Sequence, residues 1–239
     1  MKSLLAAAAF VTVSSQLGVA FAQDLADDPG AAVAHRAPPA SRGFQMALRT
    51  GFTMPFGTAQ KAGNTLPKTN MSDFVTGQIP LFIEIGGKPI KQLFIGGYLG
   101  LGVGAAAGDT KDYCDEKDMD CLGVSTRFGV EVQYHILPHE DLNPWVGYGI
   151  GFESVSVAVK DGDEDGSLNY GGFEFARLSG GVDFRISRVF GIGPFADFSL
   201  GTYGTYRWDA PQFPDSDGDV AETAIHEWLT VGARFVFFP

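Results

Sequence analysis

The stretch VSTRFGVEVQYH, residues 124–135, decides the fold, because its side chains alternate between two kinds. From Val124 to Tyr134 every second residue is apolar, apart from one Thr. The residues between them are polar or small and include Arg127 and Glu131. A period of two is the spacing of a β-strand, so this stretch predicts a strand with one apolar and one polar face.

Seven further stretches alternate in the same way, and the helical period is absent after residue 42. The eight predicted strands lie near residues 44–52, 78–86, 93–103, 124–135, 146–153, 176–186, 195–201 and 228–237. Their apolar faces carry no charge, whereas the opposite faces are rich in Gly and hold nearly all of the strand charges. Small residues suit the crowded inside of a narrow barrel, so we assign the apolar face to lipid and the other face to the lumen.

The sequence therefore predicts an all-β fold, an eight-stranded antiparallel up-and-down transmembrane β-barrel over residues 42–239. The connections between the strands alternate in length. The long ones cover residues 55–77, 105–122, 160–172 and 204–222, and the short ones cover 87–91, 137–143 and 187–190. Outer-membrane barrels have long extracellular loops and short periplasmic turns, and an even number of strands places both termini in the periplasm.

The N-terminal part of the chain has the features of export. Residues 1–22 predict a signal peptide, with Lys2, a short apolar run and the cleavage sequence Ala-Phe-Ala at residues 20–22. Residues 23–41 are rich in Ala and Pro and predict a flexible periplasmic linker. In an exported protein Cys114 and Cys121 favour a local disulfide, since no His or third Cys lies nearby for a metal site.

With these features the chain resembles the small outer-membrane β-barrel superfamily of Gram-negative bacteria, of the OmpA-barrel, OmpW and opacity-protein kind. The signal peptide and the strands PWVGYGIGF (144–152), FARLSGGVDFRIS (175–187) and HEWLTVGARFVFF (226–238) carry the resemblance. It implies a monomer in the outer membrane, in contact with lipid and lipopolysaccharide and inserted by the barrel-assembly machinery. The assembly signal would be the outward residues Leu229, Val231, Phe235 and Phe237. The chain departs from the family in that Phe238 and Pro239 follow the last outward aromatic residue.

Ten charged residues are predicted to face the lumen. They are Arg49, Glu84, Arg127, Glu131, Glu153, Arg177, Asp183, Arg185, Asp197 and Arg234. Five Arg against five carboxylates predict interlocking ion pairs that plug the lumen, because unpaired charges inside a narrow barrel would be unstable. The alternative is a narrow transport pore for small solutes, lined by the same charges, for which the inward glycines would leave free volume.

The long connections hold more than half of the 28 acidic residues. These acids predict either a solvated anionic rim or a weak Ca²⁺ site, since Asp161, Asp163 and Asp165 match the first half of an EF-hand loop without its closing Glu. We predict no other metal or cofactor. The net charge of −11 argues against nucleic acid as a partner.

Catalysis is disfavoured by the absence of a recognisable motif. The nearest approach is a Ser–His–Glu set made of Ser154 or Ser156 with His226 and Glu227, which no family motif frames. We therefore predict a non-enzymatic barrel that acts as a structural or surface-interaction protein through its acidic extracellular loops.

Overall fold

The computed structural model describes residues 43–62, 68–73, 75–117, 120–161, 164–210, 213–220 and 222–238. The predicted signal peptide and linker lie outside these residues. The strands are β1 (Gly43–Gln60), β2 (Thr69–Asn70), β3 (Gly77–Ile90), β4 (Leu93–Ala105), β5 (Asp120–His135), β6 (Leu142–Asp161), β7 (Glu164–Arg185), β8 (Phe190–Ala210), β9 (Phe213–Asp219) and β10 (Ile225–Phe237). A 3-10 turn (Met71–Asp73) and the helix α1 (Gly108–Lys117) complete the described elements.

Eight of the strands close into an antiparallel ring, which confirms the predicted fold class. The ring runs through β1, β3, β4, β5, β6, β7, β8 and β10, and β10 pairs with both β8 and β1. The short strands β2 and β9 each pair with one ring strand. The strands of the ring are staggered. A path that starts at Ala47 and steps to the paired residue on each next strand returns to β1 at Gly57, ten residues further on. A ring of eight tilted strands leaves room inside for little more than side chains.

The outer face of the ring is a broad apolar belt. Leu99 is 47% exposed and Val130 is 60% exposed. Towards one end of the barrel the belt carries Phe128, Phe152 and Phe173, whose rings contact across three adjacent strands with centroids 5.7 and 5.5 Å apart. Such a surface is stable in hydrocarbon, and the closed ring leaves no strand edge unpaired there. The predicted assignment of the apolar face to lipid agrees with this exposure.

No helix within the described ranges is long and apolar enough to cross a membrane.

The two ends of the barrel differ. At the end that we call the turn end, short turns join β3 to β4, β5 to β6 and β7 to β8, and β1 begins there while β10 ends there. The other end, the hairpin end, carries α1 and the tips of the β6–β7 and β8–β9 pairs. The disulfide between Cys114 in α1 and Cys121 in β5, with Cα atoms 6.2 Å apart, confirms the predicted pairing.

Two predicted loops are wrong. Residues 160–172 and 204–222 largely continue as strands, since β6 and β7 stay paired as far as Asp161 and Glu164, and β8 pairs with β9. The apolar alternation ends before these residues, but backbone hydrogen bonds between strands continue the sheet without it. The helix α1 in residues 105–122 was also not predicted, because its sequence GDTKDYCDEK has no apolar face.

Candidate functional site

The middle of the lumen is centred on Arg49 of β1, which is fully buried. Its guanidinium forms ion pairs with Glu84, with Glu131 at 3.3 Å and with Asp197 at 2.8 Å. These carboxylates come from β3, β5 and β8, and each stands at an inward position of its strand. Buried charges persist only when they are paired, and here one Arg is surrounded by three carboxylates.

Two more Arg residues extend this arrangement into a shared network. Arg234 lies 2.5 Å from Asp183 and 3.2 Å from Glu84, which it shares with Arg49. Arg177 lies 2.7 Å from Asp197, which Arg49 also contacts. The chain therefore contains a buried salt-bridge network that crosses the barrel through shared carboxylates.

The amide of Gln133 ties the network together. Its Nε2 donates to Glu84 and to Glu131, both at 3.0 Å, and its Oε1 accepts from Arg234 at 2.9 Å. One neutral side chain thus bridges two carboxylates and a guanidinium, which satisfies hydrogen-bonding groups that would otherwise lie buried without partners.

Aromatic rings cover the faces of the same guanidinium groups. Arg177 lies 4.3 Å from the ring of Phe82 and 4.4 Å from that of Tyr98, and Arg234 lies 4.5 Å from the ring of Trp145. A planar guanidinium group bonds to carboxylates through its edge and packs against rings with its faces, and both kinds of contact stabilise it. The middle of the lumen is therefore filled by charged and aromatic side chains in contact.

Several inward glycines make room for these rings. A Cβ on Gly129 would come within 2.8 Å of the Tyr98 hydroxyl. The ring of Phe82 lies over Gly100, and Trp145 lies 3.0 Å from where a Cβ of Gly181 would be.

A second cluster lies nearer the hairpin end, around Arg127. The guanidinium is 3.7 Å from Glu153 and 3.8 Å from Glu174, and it lies 4.4 Å from the ring of Trp228. Glu153 also contacts His226, whose ring stacks on Tyr203 at 4.0 Å. The distances from the Arg127 guanidinium to its carboxylates are longer than those of Arg49.

The hydroxyl of Tyr98 connects the two clusters. It donates to Glu174 at 2.8 Å, while its ring covers Arg177. Beyond the Arg127 cluster the lumen is closed by apolar side chains. This seal consists of Ala59, Met71, Val75, Ala106, Val155, Val157, Tyr170, Tyr203, Val220 and Trp228. Met71 and Val75 belong to the described part of the connection between β1 and β3, and both side chains are buried in this seal.

The structure buries nine of the ten charged residues predicted for the lumen. The exception is Arg185, which is only half-buried at the turn end, where its Nη2 donates to the carbonyl oxygen of Pro138 at 3.4 Å. It lies one step beyond Asp183 on the same strand, close to the turn.

Sequence reasoning missed Glu174, because β7 carries an irregularity in register between Glu174 and Ala176. Glu174 and Arg177 both face inward although they are three residues apart, which strict alternation forbids. His226 could have been found, since it precedes Trp228 by two residues on the inward face of β10.

The Ser–His–Glu set is not brought together. The Ser154 hydroxyl donates to the side-chain oxygen of Asn169 at 3.1 Å, while His226 faces the lumen and contacts Glu153.

The predicted Ca²⁺ residues fall outside what the structure describes. This applies to Asp163 itself and to the side chains of Asp161 and Asp165. Within the described part of the chain no group of three or more His, Cys, Asp or Glu residues could hold a metal ion.

A closed ring with an apolar belt outside and paired charges inside is stable only across a bilayer, and barrels of this kind belong to outer membranes. This is an outer-membrane β-barrel. No family model matches the sequence, and no curated protein matches it.

Solved structures with a similar fold are outer-membrane proteins. OprG from Pseudomonas aeruginosa is 11% identical, with a TM-score of 0.48 over 85% of this chain and 99% of that one. Neisserial surface protein A is 11% identical, with a TM-score of 0.46 over 82% and 97%. A major outer membrane protein from Thermus thermophilus is 13% identical, with a TM-score of 0.46 over 82% and 100%.

Proposed function

We propose that this chain is a non-catalytic outer-membrane barrel whose lumen is plugged and which acts as a scaffold or surface-interaction protein through its hairpin end. The shared ion-pair network around Arg49 supports this most directly. In a water-filled pore, water would solvate such charges separately, whereas here guanidinium groups, carboxylates and rings fill the lumen in direct contact. The apolar seal at the hairpin end adds a second closure.

The hairpin end supplies the surface for interaction. Exposed acidic side chains lie there on β8, β9 and the segment that follows, including Asp209, Asp217, Asp219 and Glu222. Trp208 lies beside them and is about half exposed. An anionic surface with an exposed aromatic ring fits a basic partner, or lipopolysaccharide phosphates bridged by divalent cations.

Weak Ca²⁺ binding at Asp161, Asp163 and Asp165 belongs to the same proposal. We expect Ca²⁺, but not Mg²⁺ at equal concentration, to raise the unfolding temperature of the wild type, because Ca²⁺ accepts irregular carboxylate sites. The triple Asp→Asn variant at these positions should lose the effect, and an equal response in the variant would remove the site from the proposal.

The proposed orientation has the hairpin end outside the cell and both termini in the periplasm. The barrel is then a monomer that the assembly machinery inserts through Leu229, Val231, Phe235 and Phe237 of β10. A membrane-impermeant maleimide should label Cys114 and Cys121 on intact cells after reduction. Labelling that needs lysis would reverse the orientation.

Single-channel recording in a planar bilayer tests the plugged lumen. The folded state is first verified by the difference in gel mobility between boiled and unboiled samples. We expect no discrete openings from the wild type. The double variant Arg177→Ser/Arg234→Ser should conduct, because it removes two guanidinium groups from the network and leaves their carboxylates to be hydrated. Steady openings from folded wild-type protein would contradict the proposal.

A narrow pore for small solutes is the second candidate, and one observation favours it. A small cavity lies beside Arg127, lined on the lumen side by Thr53, Gln78, Gly102 and Ser125. If this cavity were part of a water path, the wild type would conduct and Arg127→Gln would change its ion selectivity.

A further inference from the structure

The turn end of the lumen holds buried polar groups that the ion-pair network does not use. Lys88 on β3 is 3% exposed, and its Nζ has no hydrogen-bond partner among the described residues. Gln45 lies next to it across the strand pair, since Gly43 pairs with Lys88 and Gln45 pairs with Gly86. Gln45 is fully buried, and neither atom of its amide has a partner in the described part of the barrel.

His135 adds a third group at the same end. It is fully buried at the last position of β5, and its Nδ1 lies 2.8 Å from the amide nitrogen of Asn143. Its Nε2 has no partner within the described ranges. A buried donor or acceptor without a partner is unfavourable, so binding of a ligand that bonds to such groups is favoured.

The carboxylates nearest to Lys88 are already engaged by other cations. Asp183 forms an ion pair with Arg234 at 2.5 Å. Glu84, the next acid inward, is already shared by Arg234 and Arg49. The ammonium group of Lys88 forms no ion pair with any described residue, so it is the buried cation here that an anion would compensate.

An aromatic ring covers these cations. Phe238 directly follows β10, is 8% exposed, and lies 4.8 Å from Lys88 Nζ and 5.5 Å from the guanidinium carbon of Arg185. The electron-rich face of a ring is a weak substitute for an anion. The backbone N–H of Phe238 donates to the carbonyl oxygen of Val189 at 2.9 Å, so uncovering these cations requires only a rotation of the Phe238 side chain.

We propose that the turn end of the lumen is a binding site for a small oxyanion such as phosphate. Lys88, Gln45 and His135 hold the anion, and Phe238 covers it. The amide NH₂ of Asn143 donates to His135 Nδ1, so Nε2 of the neutral ring carries the hydrogen. An oxyanion offers acceptors to the ammonium group of Lys88, to the amide NH₂ of Gln45 and to this Nε2–H at once. The Arg234–Asp183 pair closes the inner side of the site, so the site stands whether or not the barrel conducts.

Thermal unfolding followed by gel mobility tests the site. Phosphate is titrated into the folded full-length protein in zwitterionic micelles, with chloride replaced to keep the ionic strength constant. We expect a saturable rise in unfolding temperature that Lys88→Met abolishes. Lys91→Met, a matched change three residues further on in the adjacent turn, should leave the rise unchanged.

A second pair of samples separates the two sources of an oxyanion. The protein is placed in phosphatidylcholine bilayers with and without phosphatidylglycerol, in the absence of free phosphate. If phosphatidylglycerol raises the unfolding temperature and Lys88→Met abolishes this rise, the site binds a lipid headgroup. If the unfolding temperature rises only with dissolved phosphate, the site binds a free anion.

Removing the Phe238 ring tests the site independently, through the phosphate concentration that half-saturates it. Phe238→Ala should lower the half-saturating phosphate concentration about tenfold, because the uncovered state becomes the main state. Lys88→Gln replaces Lys88→Met if the latter does not fold. An equal response in the Lys88 variant and the wild type, or no saturable response in both the wild type and Phe238→Ala, would overturn the proposal.

Discussion

The two faces of strand β5 are held by different kinds of interaction. On the inward face Arg127, Glu131 and Gln133 each contact particular side chains from other strands. On the outward face Phe128 and Val130 are exposed to the membrane. The lumen therefore depends on the identity of each residue, whereas the lipid face depends only on being apolar.

The largest loss of stability is expected at Arg49, which contacts three carboxylates from other strands. Arg49→Met takes one of two guanidinium partners from Glu84 and Asp197 and leaves the buried Glu131 without an ion pair to any described residue, and a buried charge left without its partner destabilises by about 3–5 kcal/mol. Urea unfolding of the folded protein in lipid vesicles measures this loss. Arg188→Met, in an exposed turn, is the matched control and should change stability by less than about 0.5 kcal/mol. Equal losses in the two variants would show that the network contributes nothing specific.

A charge on the lipid face is expected to have the next largest effect. Val130→Arg should destabilise by about 2–4 kcal/mol, as for a cation near the bilayer midplane. Ser156→Arg, beyond the belt towards the hairpin end of β6, should lose about 0–1 kcal/mol, as near an interface. The same urea series measures both, and a neutral Val130→Arg would invert the assignment of the two faces.

A smaller effect is expected for the second Arg cluster. Arg127→Met should destabilise by about 1–2 kcal/mol, because its carboxylates lie at 3.7 and 3.8 Å and the ring of Trp228 can contact the Met side chain as well. The measurement is the ratio of its loss to that of Arg49→Met under identical conditions. A loss as large as that of Arg49→Met would mean that the two clusters are equally coupled.

The sequence was sufficient to predict the number of ring strands, the face that meets lipid and the burial of nine lumen charges, because alternation depends only on neighbouring residues. It could not predict which charges meet. The pairing of Arg49 with Asp197 depends on ring closure and on the stagger of the strands, which no local pattern encodes. The inward position of Glu174 was not predicted for a related reason, since an irregularity in β7 reverses the alternation there.

The inward turn of Phe238 shows the same limit at the end of the chain. Phe238 follows the outward Phe237, so strand alternation predicts that its side chain faces the lumen. The sequence predicts no role for it, because it lies beyond the last outward aromatic residue. Its contacts with Lys88 and Arg185 arise only once β10 closes the ring.

The smallest losses of stability are expected when the same substitution, Val→Leu, is made on each of the two faces. Val130→Leu should change stability by less than about 0.5 kcal/mol, because lipid accommodates an added methylene. Val236→Leu puts the same methylene on the inward face, where Val236 is fully buried with Ala47 and Phe238, and overpacking by this one group should cost about 1 kcal/mol. The difference in urea midpoint between the two variants is the measurement. If both are neutral, the turn end of the lumen is loosely packed, and the inward face there is as tolerant of sequence as the face that meets lipid.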